Sequence, residues 1–230
     1  MRLTPRCGDI LRLFLVARWL RTSQIHRRFF QPAAIDSARK RLSKLALDRY
    51  LVKIQPNRMT EALFRLGPEG KRQLERSGVD GVRLEGAPPK QLEHLLGIND
   101  LRIAAELSGC LTYFFACWEL PGNQWNHPII PDAILSIGSR LVAVEFDRNQ
   151  ENLNYFLRTK ISAYRRDFDG FPLDRLLIIV DRQSRMEALA KSIGRTRPAV
   201  LLTRLDLIQR ADLNSLIFYE TSMGKEVRLF

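Results

Sequence analysis

Negative charge is scarce where this chain begins. Residues 1–90 carry 8 Asp and Glu against 20 Lys and Arg, whereas residues 91–230 carry 17 of each, so the whole formal excess of +12 falls in the first 90 residues. Cysteine is scarce as well. Cys7, Cys110 and Cys117 are odd in number and have no paired spacing, which excludes a disulfide framework and a zinc finger and fits a reducing cytosol. His26, His94 and His127 are too scattered for a metal cluster. No apolar run approaches the ~20 residues needed to span a bilayer, which excludes a membrane partner. Asp9, Arg12 and Arg18 interrupt the first apolar stretch, and no small-residue cleavage site follows it, so a signal peptide is excluded.

What is present is a basic module joined to a balanced one. In the basic half, Ile10, Leu11, Phe14, Leu15 and Trp19 recur at helical spacing and predict a helix over 8–20. Thr22 and Ser23 offer an N-cap for a second helix over 24–30, and Pro32 marks a break. A third helix over 33–47 has one apolar stripe of Ile35, Ala38, Leu42 and Leu45. Ser37, Lys40, Arg41 and Lys44 recur at i, i+3, i+4, i+7 on a different face. A strand-like run over 50–55, a Pro56-Asn57 turn signal and a returning strand over 62–66 follow.

Three helices and a two-stranded hairpin are the order of a winged helix-turn-helix, whose third helix enters the major groove. Ser37, Arg39, Lys40, Arg41 and Lys44 are expected to face DNA, with Asn57 and Arg58 at the wing tip against phosphate or the minor groove. A protein-docking helical module is the competing reading of the same order. Residues 1–77 form this domain. Residues 78–110 form a linker, rich in Gly and Pro up to Pro89, and a connecting helix over 90–107 whose wide apolar face packs on both domains or on a homodimer partner.

From residue 111 strands alternate with helices. Strands are expected over 111–120, 133–137, 141–146, 176–180 and 199–203, with helices over 150–168 and 184–193, giving an α/β domain whose central mixed sheet is covered on both faces. Asp132 begins one arm of the hairpin turned by Gly138-Ser139; Glu145 and Asp147 end the other and share a strand face. Three hard carboxylates at one point suit Mg²⁺ or Mn²⁺, which would activate water against a phosphodiester. Lys160 and Tyr164 share a face of the next helix, and Lys160 is placed to reach back as a cation. Trp118, Trp125 and Tyr113 read as packing residues, His127 as a surface histidine, and Arg165-Arg166 as a solvated helix face or a second phosphate contact.

Pro131-Asp132, the hairpin, Val144-Glu145-Phe146-Asp147-Arg148 and a helix carrying Lys160 and Tyr164 resemble the PD-(D/E)xK nuclease-like superfamily. The wider order over most of 8–181, a winged helix followed by Pro-Asp-Ala, Glu-x-Asp-Arg and Lys-x-x-x-Tyr, is similar to the replication-relaxation family of bacterial plasmids and mobile elements. That resemblance implies a restriction-endonuclease-like fold over 111–230 and a role in replication, relaxation or transfer of mobile DNA, or in transcriptional regulation on it. It implies a bacterial cytoplasmic protein, nucleoid-associated when bound to DNA. Asp132 and Glu145 would take the metal-ligand places. The nuclease pattern wants Lys two residues after Glu145, and Asp147 stands there instead.

Three functions remain open. One is a double-stranded DNA-binding protein with an inactive nuclease-like domain, which needs no cofactor. The second is a metal-dependent endonuclease or nickase using Asp132, Glu145, Asp147 and Lys160. The third is an assembly module docking replication or mobilisation proteins.

Overall fold

The computed structural model describes residues 3–55, 57–120, 129–148, 152–167, 173–215 and 217–229. Trp125, His127 and Pro56 lie outside the described residues. The chain divides into two compact units, Met1–Asn99 and Asp100–Phe230. Helix α5 (Leu92–Leu107) runs through the division.

The first unit runs α1 (Pro5–Ala17), β1 (Trp19–Arg21), α2 (Thr22–Phe29), α3 (Ile35–Leu47), β2 (Leu51–Ile54), β3 (Leu63–Leu66) and α4 (Pro68–Arg76). Its three strands lie in the order β1-β3-β2, all antiparallel. The helix expected over 8–20 stops at Ala17. Arg18 takes a left-handed φ of 61°, and the next residues become β1 because Trp19 and Leu20, both fully buried, gain a sheet partner in β3. The stripe Ala38, Leu42 and Leu45 is fully buried as its spacing predicts, while Ile35 is only half-buried at the helix start. Gly70 is required by close approach, since a Cβ there would stand 2.3 Å from the Tyr50 carbonyl oxygen.

The stretch 77–91 holds no strand or helix except for the approach to α5, yet Val82 is buried and Glu85 lies 3.6 Å from Arg18. The first half of α5 belongs to this unit's core: buried Asn99 donates through Nδ2 to the carbonyls of Ala17 (2.8 Å) and Trp19 (2.9 Å). These bonds satisfy backbone groups exposed where α1 ends and β1 starts.

The second unit has a seven-stranded sheet in the order β10-β9-β8-β7-β6-β5-β4. Strands β4 (Leu111–Ala116), β5 (Ala133–Ile137) and β6 (Arg140–Asp147) form an antiparallel meander. Strands β7 (Arg175–Val180) and β8 (Ala199–Arg204) continue it in parallel. Strands β9 (Phe218–Glu220) and β10 (Lys225–Val227), with α9 (Leu205–Arg210) before them, have no counterpart among the expected elements.

Strand β4 ends four residues earlier than expected because Glu119 folds back to accept from the Ala116 amide at 2.8 Å and to pair with buried Arg102. On one sheet face Ala143, Leu176, Ile178, Val180, Val200 and Leu202 pack with Phe156, Ile161 and Tyr164 and with Leu189 and Ile193 of α8 (Gln183–Ile193). Residues of opposite parity, among them Val142, Val144, Leu177, Ile179 and Leu201, are also buried. Both faces of the central strands are therefore covered, as short apolar strands predict.

Removing the Asn99 amide leaves two buried carbonyls without their donors. Asn99→Ala is expected to destabilise by about 2 kcal/mol, read as a lower urea midpoint with an unchanged m-value.

Candidate functional site

Two clusters bear on function, one in each unit. In the first unit, α2 and α3 are adjacent helices beside the hairpin β2–β3. Glu61 sets the start of α2 by accepting from the Ser23 amide (2.5 Å) and hydroxyl (3.1 Å), the favourable place for a carboxylate at a helix N-terminus. On α3, Ser37, Arg39, Lys40 and Lys44 are exposed as expected, and Arg39 also donates to Asp36 at 2.9 Å.

Arg41 departs from that set. Its Nε and Nη2 donate to Cys7 Sγ at 3.0 and 2.8 Å, and the residue is half-buried. The reason is angular: Arg41 sits on the flank of the buried Ala38–Leu42–Leu45 stripe, and its long side chain follows that flank inward. Burial pushes the Cys7 thiol up, but hydrogen bonding with Thr4 and Arg41 and the Arg41 charge outweigh it and hold the thiol below its ordinary value.

At the hairpin tip Asn57 is a builder of the turn. Its Oδ1 accepts from the amides of Met59 and Thr60, both at 2.9 Å, while Arg58 is exposed. An open cleft of about 670 Å³ lies between α3 and the hairpin, with Arg39, Lys53 and Arg58 on its walls. Lys53 was not among the expected contacts; its exposed place in the alternating strand Leu51-Val52-Lys53-Ile54 was the signal that could have found it.

In the second unit, Asp132, Glu145, Lys160 and Tyr164 converge. The hairpin β5–β6 brings the start of one arm to the end of the other, and Asp132 Oδ2 accepts from the Phe146 amide at 2.7 Å. Glu145, only 2% exposed, accepts from Lys160 Nζ at 2.9 Å on one oxygen and from the Tyr164 hydroxyl at 2.6 Å on the other. Lys160 lies in a π-helical turn, Leu157–Ile161, set between α6 (Leu153–Phe156) and α7 (Ser162–Asp167). Such wide turns recur at functional sites.

Burial, and then the charge of Asp132, push the Glu145 carboxyl up to about 7, against the opposing pull of Lys160 and Tyr164. Burial and the Glu145 charge raise the Tyr164 phenol well above its ordinary value, so it remains a donor.

Asp147 does not join this group. It shares the strand face of Glu145, but its Oδ2 accepts from Arg185 Nε of α8 at 2.6 Å, with both side chains buried. Arg148 pairs with Asp181 at 3.3 Å. Among the described residues no three His, Cys, Asp or Glu side chains stand close enough to hold a metal ion together. Of the three carboxylates expected together, Asp147 is engaged with Arg185, while Asp132 and Glu145 are neighbours at the hairpin end. Both Glu145 oxygens accept hydrogen bonds, from Lys160 and Tyr164, and Asp147 accepts from Arg185. Buried carboxylates must be paired, and here two internal cations do the pairing. Sequence reading missed Arg185, which lies 38 residues from its partner with no local pattern to mark it.

A raised carboxyl binds its proton more tightly in the folded chain. The stabilisation it gives is full below 4.5 and is lost as pH rises through about 7. Carboxyl NMR is expected to place the Glu145 titration near 7, and Asp132→Asn to lower it by removing the adjacent charge. The stability gap between Glu145→Gln and wild type should shift towards the variant by about 3 kcal/mol across that window, measured by denaturant titrations at each pH.

Comparison with known proteins follows the same span. No curated protein matches the chain. Among solved structures, protein VC1899 from Vibrio cholerae is similar over 91% of this chain and 55% of its own, at 9% identity and a TM-score of 0.36. The chain thus spans little more than half the length of that protein. The family model described as Replication-relaxation matches residues 11–169, which take in α1 to α5, the β5–β6 hairpin and the helix that carries Lys160. That span is more than half of the chain, and on it the protein belongs to the Replication-relaxation family.

Proposed function

We propose that this protein grips double-stranded DNA through its first unit, in the replication or relaxation of a plasmid or other mobile element. Family membership supports the process; the exposed cationic face of α3 carries the DNA-binding reading. The order helix, strand, helix, helix, strand, strand and the β1-β3-β2 sheet support a winged helix-turn-helix, with α3 in the major groove and β2–β3 as the wing. Ser37, Lys40 and Lys44 would contact DNA directly, Arg39 with its Asp36 partner at the edge, and Arg58 with Lys53 along the backbone at the wing. Arg41 acts through Cys7 in orienting α3, and Asn57 through the wing turn. Phosphate contacts by Lys and Arg release condensed counterions, so they give affinity and a salt dependence but no base preference.

The second unit is proposed as a nuclease-like scaffold that does not cleave. Its meander followed by parallel strands and the Asp132–Glu145 pair at one hairpin end support the resemblance. The pairing of Glu145 with Lys160 and of Asp147 with Arg185 supports its inactivity. DNA binding then requires no cofactor. Among the described residues no helix is long and apolar enough to cross a membrane, and the reading places the protein in the bacterial cytoplasm, on the nucleoid when bound.

Fluorescence anisotropy with a labelled duplex over a range of salt tests the first unit. Affinity should fall steeply with salt, and the Lys40→Ala, Lys44→Ala double variant should lose about two units of log–log slope. A flat salt dependence rejects the reading. Supercoiled plasmid incubated with Mg²⁺ or Mn²⁺ should stay intact; nicking that Asp132→Ala abolishes would restore the metal-dependent nuclease.

A further inference from the structure

The wing tip displays an apolar side chain on a turn built to hold it. Met59 is 95% exposed, the most exposed large hydrophobic residue among those described. Leaving a Met side chain in water is unfavourable, yet four hydrogen bonds fix the loop that does it. Asn57 Oδ1 accepts from the amides of Met59 and Thr60, the Thr60 hydroxyl donates to the Asn57 carbonyl at 2.9 Å, and Gln55 Nε2 donates to the Thr60 carbonyl at 2.9 Å. Arg58 stands exposed beside Met59, and Lys53 is exposed on the strand that leads to the tip. Cations thus flank the apolar point.

We propose that Met59 is a wedge that enters the minor groove and partly unstacks one base step, bending the duplex, while Arg58 anchors the adjacent backbone. Apolar side chains inserted in this way kink DNA, and pyrimidine–purine steps yield most easily. An unbranched, polarisable thioether suits an opening whose shape varies from step to step. Asn57 is the positioning residue: its carboxamide oxygen fixes where Met59 points. This wedge rests on the DNA-binding reading above. It adds a deformation of the duplex to the electrostatic grip.

The test uses the full chain and a duplex of about 20 base pairs, short enough for energy transfer between its ends, with TA steps and a dye at each end. Anisotropy reports binding, and energy transfer between the dyes reports the bend. Wild type should bind and raise the transfer. Met59→Ala should still bind in a salt-dependent way, because Lys40, Lys44 and Arg58 remain, but should leave the transfer at the level of bare DNA. Met59→Leu should retain the bend. Asn57→Ala should lose it and Asn57→Asp should restore it, since Asp also presents an acceptor to both amides. Binding by wild type without a rise in transfer, or an equal rise with Met59→Ala, overturns the wedge alone. No anisotropy change with wild type overturns the wedge together with the DNA-binding reading.

Discussion

Glu145 sits where water cannot reach it, at the end of a parallel strand whose neighbours on the same face are Ile178, Val180 and Phe156. An ionised carboxylate in such a place is costly unless cations or a proton meet it. The second unit meets that requirement from the helix after β6: Lys160 takes one oxygen, Tyr164 the other, and the proton is held to about 7. Much else follows. Tyr164 is drawn into the core and joins Phe156 and Ile161 against the sheet. Asp132 remains close enough for its charge to be felt. Asp147, two residues on, solves the same problem separately with Arg185. The sheet end therefore carries two independent carboxylate–cation pairs.

The first unit treats its charges in the opposite way. Lys40, Lys44, Lys53 and Arg58 stand in solvent, where each is cheap to hold and available to a polyanion. Arg41 differs from these four, since its guanidinium lies on Cys7.

Local pattern made much of this legible. The Ala38–Leu42–Leu45 stripe fixes which face of α3 is buried, and so which carries Ser37, Lys40 and Lys44. Continuous apolar runs locate β7 and β8, and the i, i+2 spacing puts Glu145 and Asp147 on one face. The failures are long-range pairings or very short elements. Arg41 finds Cys7 34 residues away, and Asp147 finds Arg185 38 residues away. At those separations periodicity carries no information. Strands β9 and β10 are three residues each, and the Lys225-Glu226 pair in β10 has none of the apolar character by which a strand is recognised. Trp19 has the spacing to continue α1, but its pairing in the sheet with β3 outweighs that spacing.

The π-helical turn around Lys160 carries an evolutionary corollary. A wide turn holds one residue more than the α-helix it interrupts, and each residue turns the helix by roughly 100°. Deleting a single codon between Leu157 and Ile161 would rotate Lys160 away from Glu145 relative to the residues that follow it. The ammonium that stands on the carboxylate is thus one indel from departure.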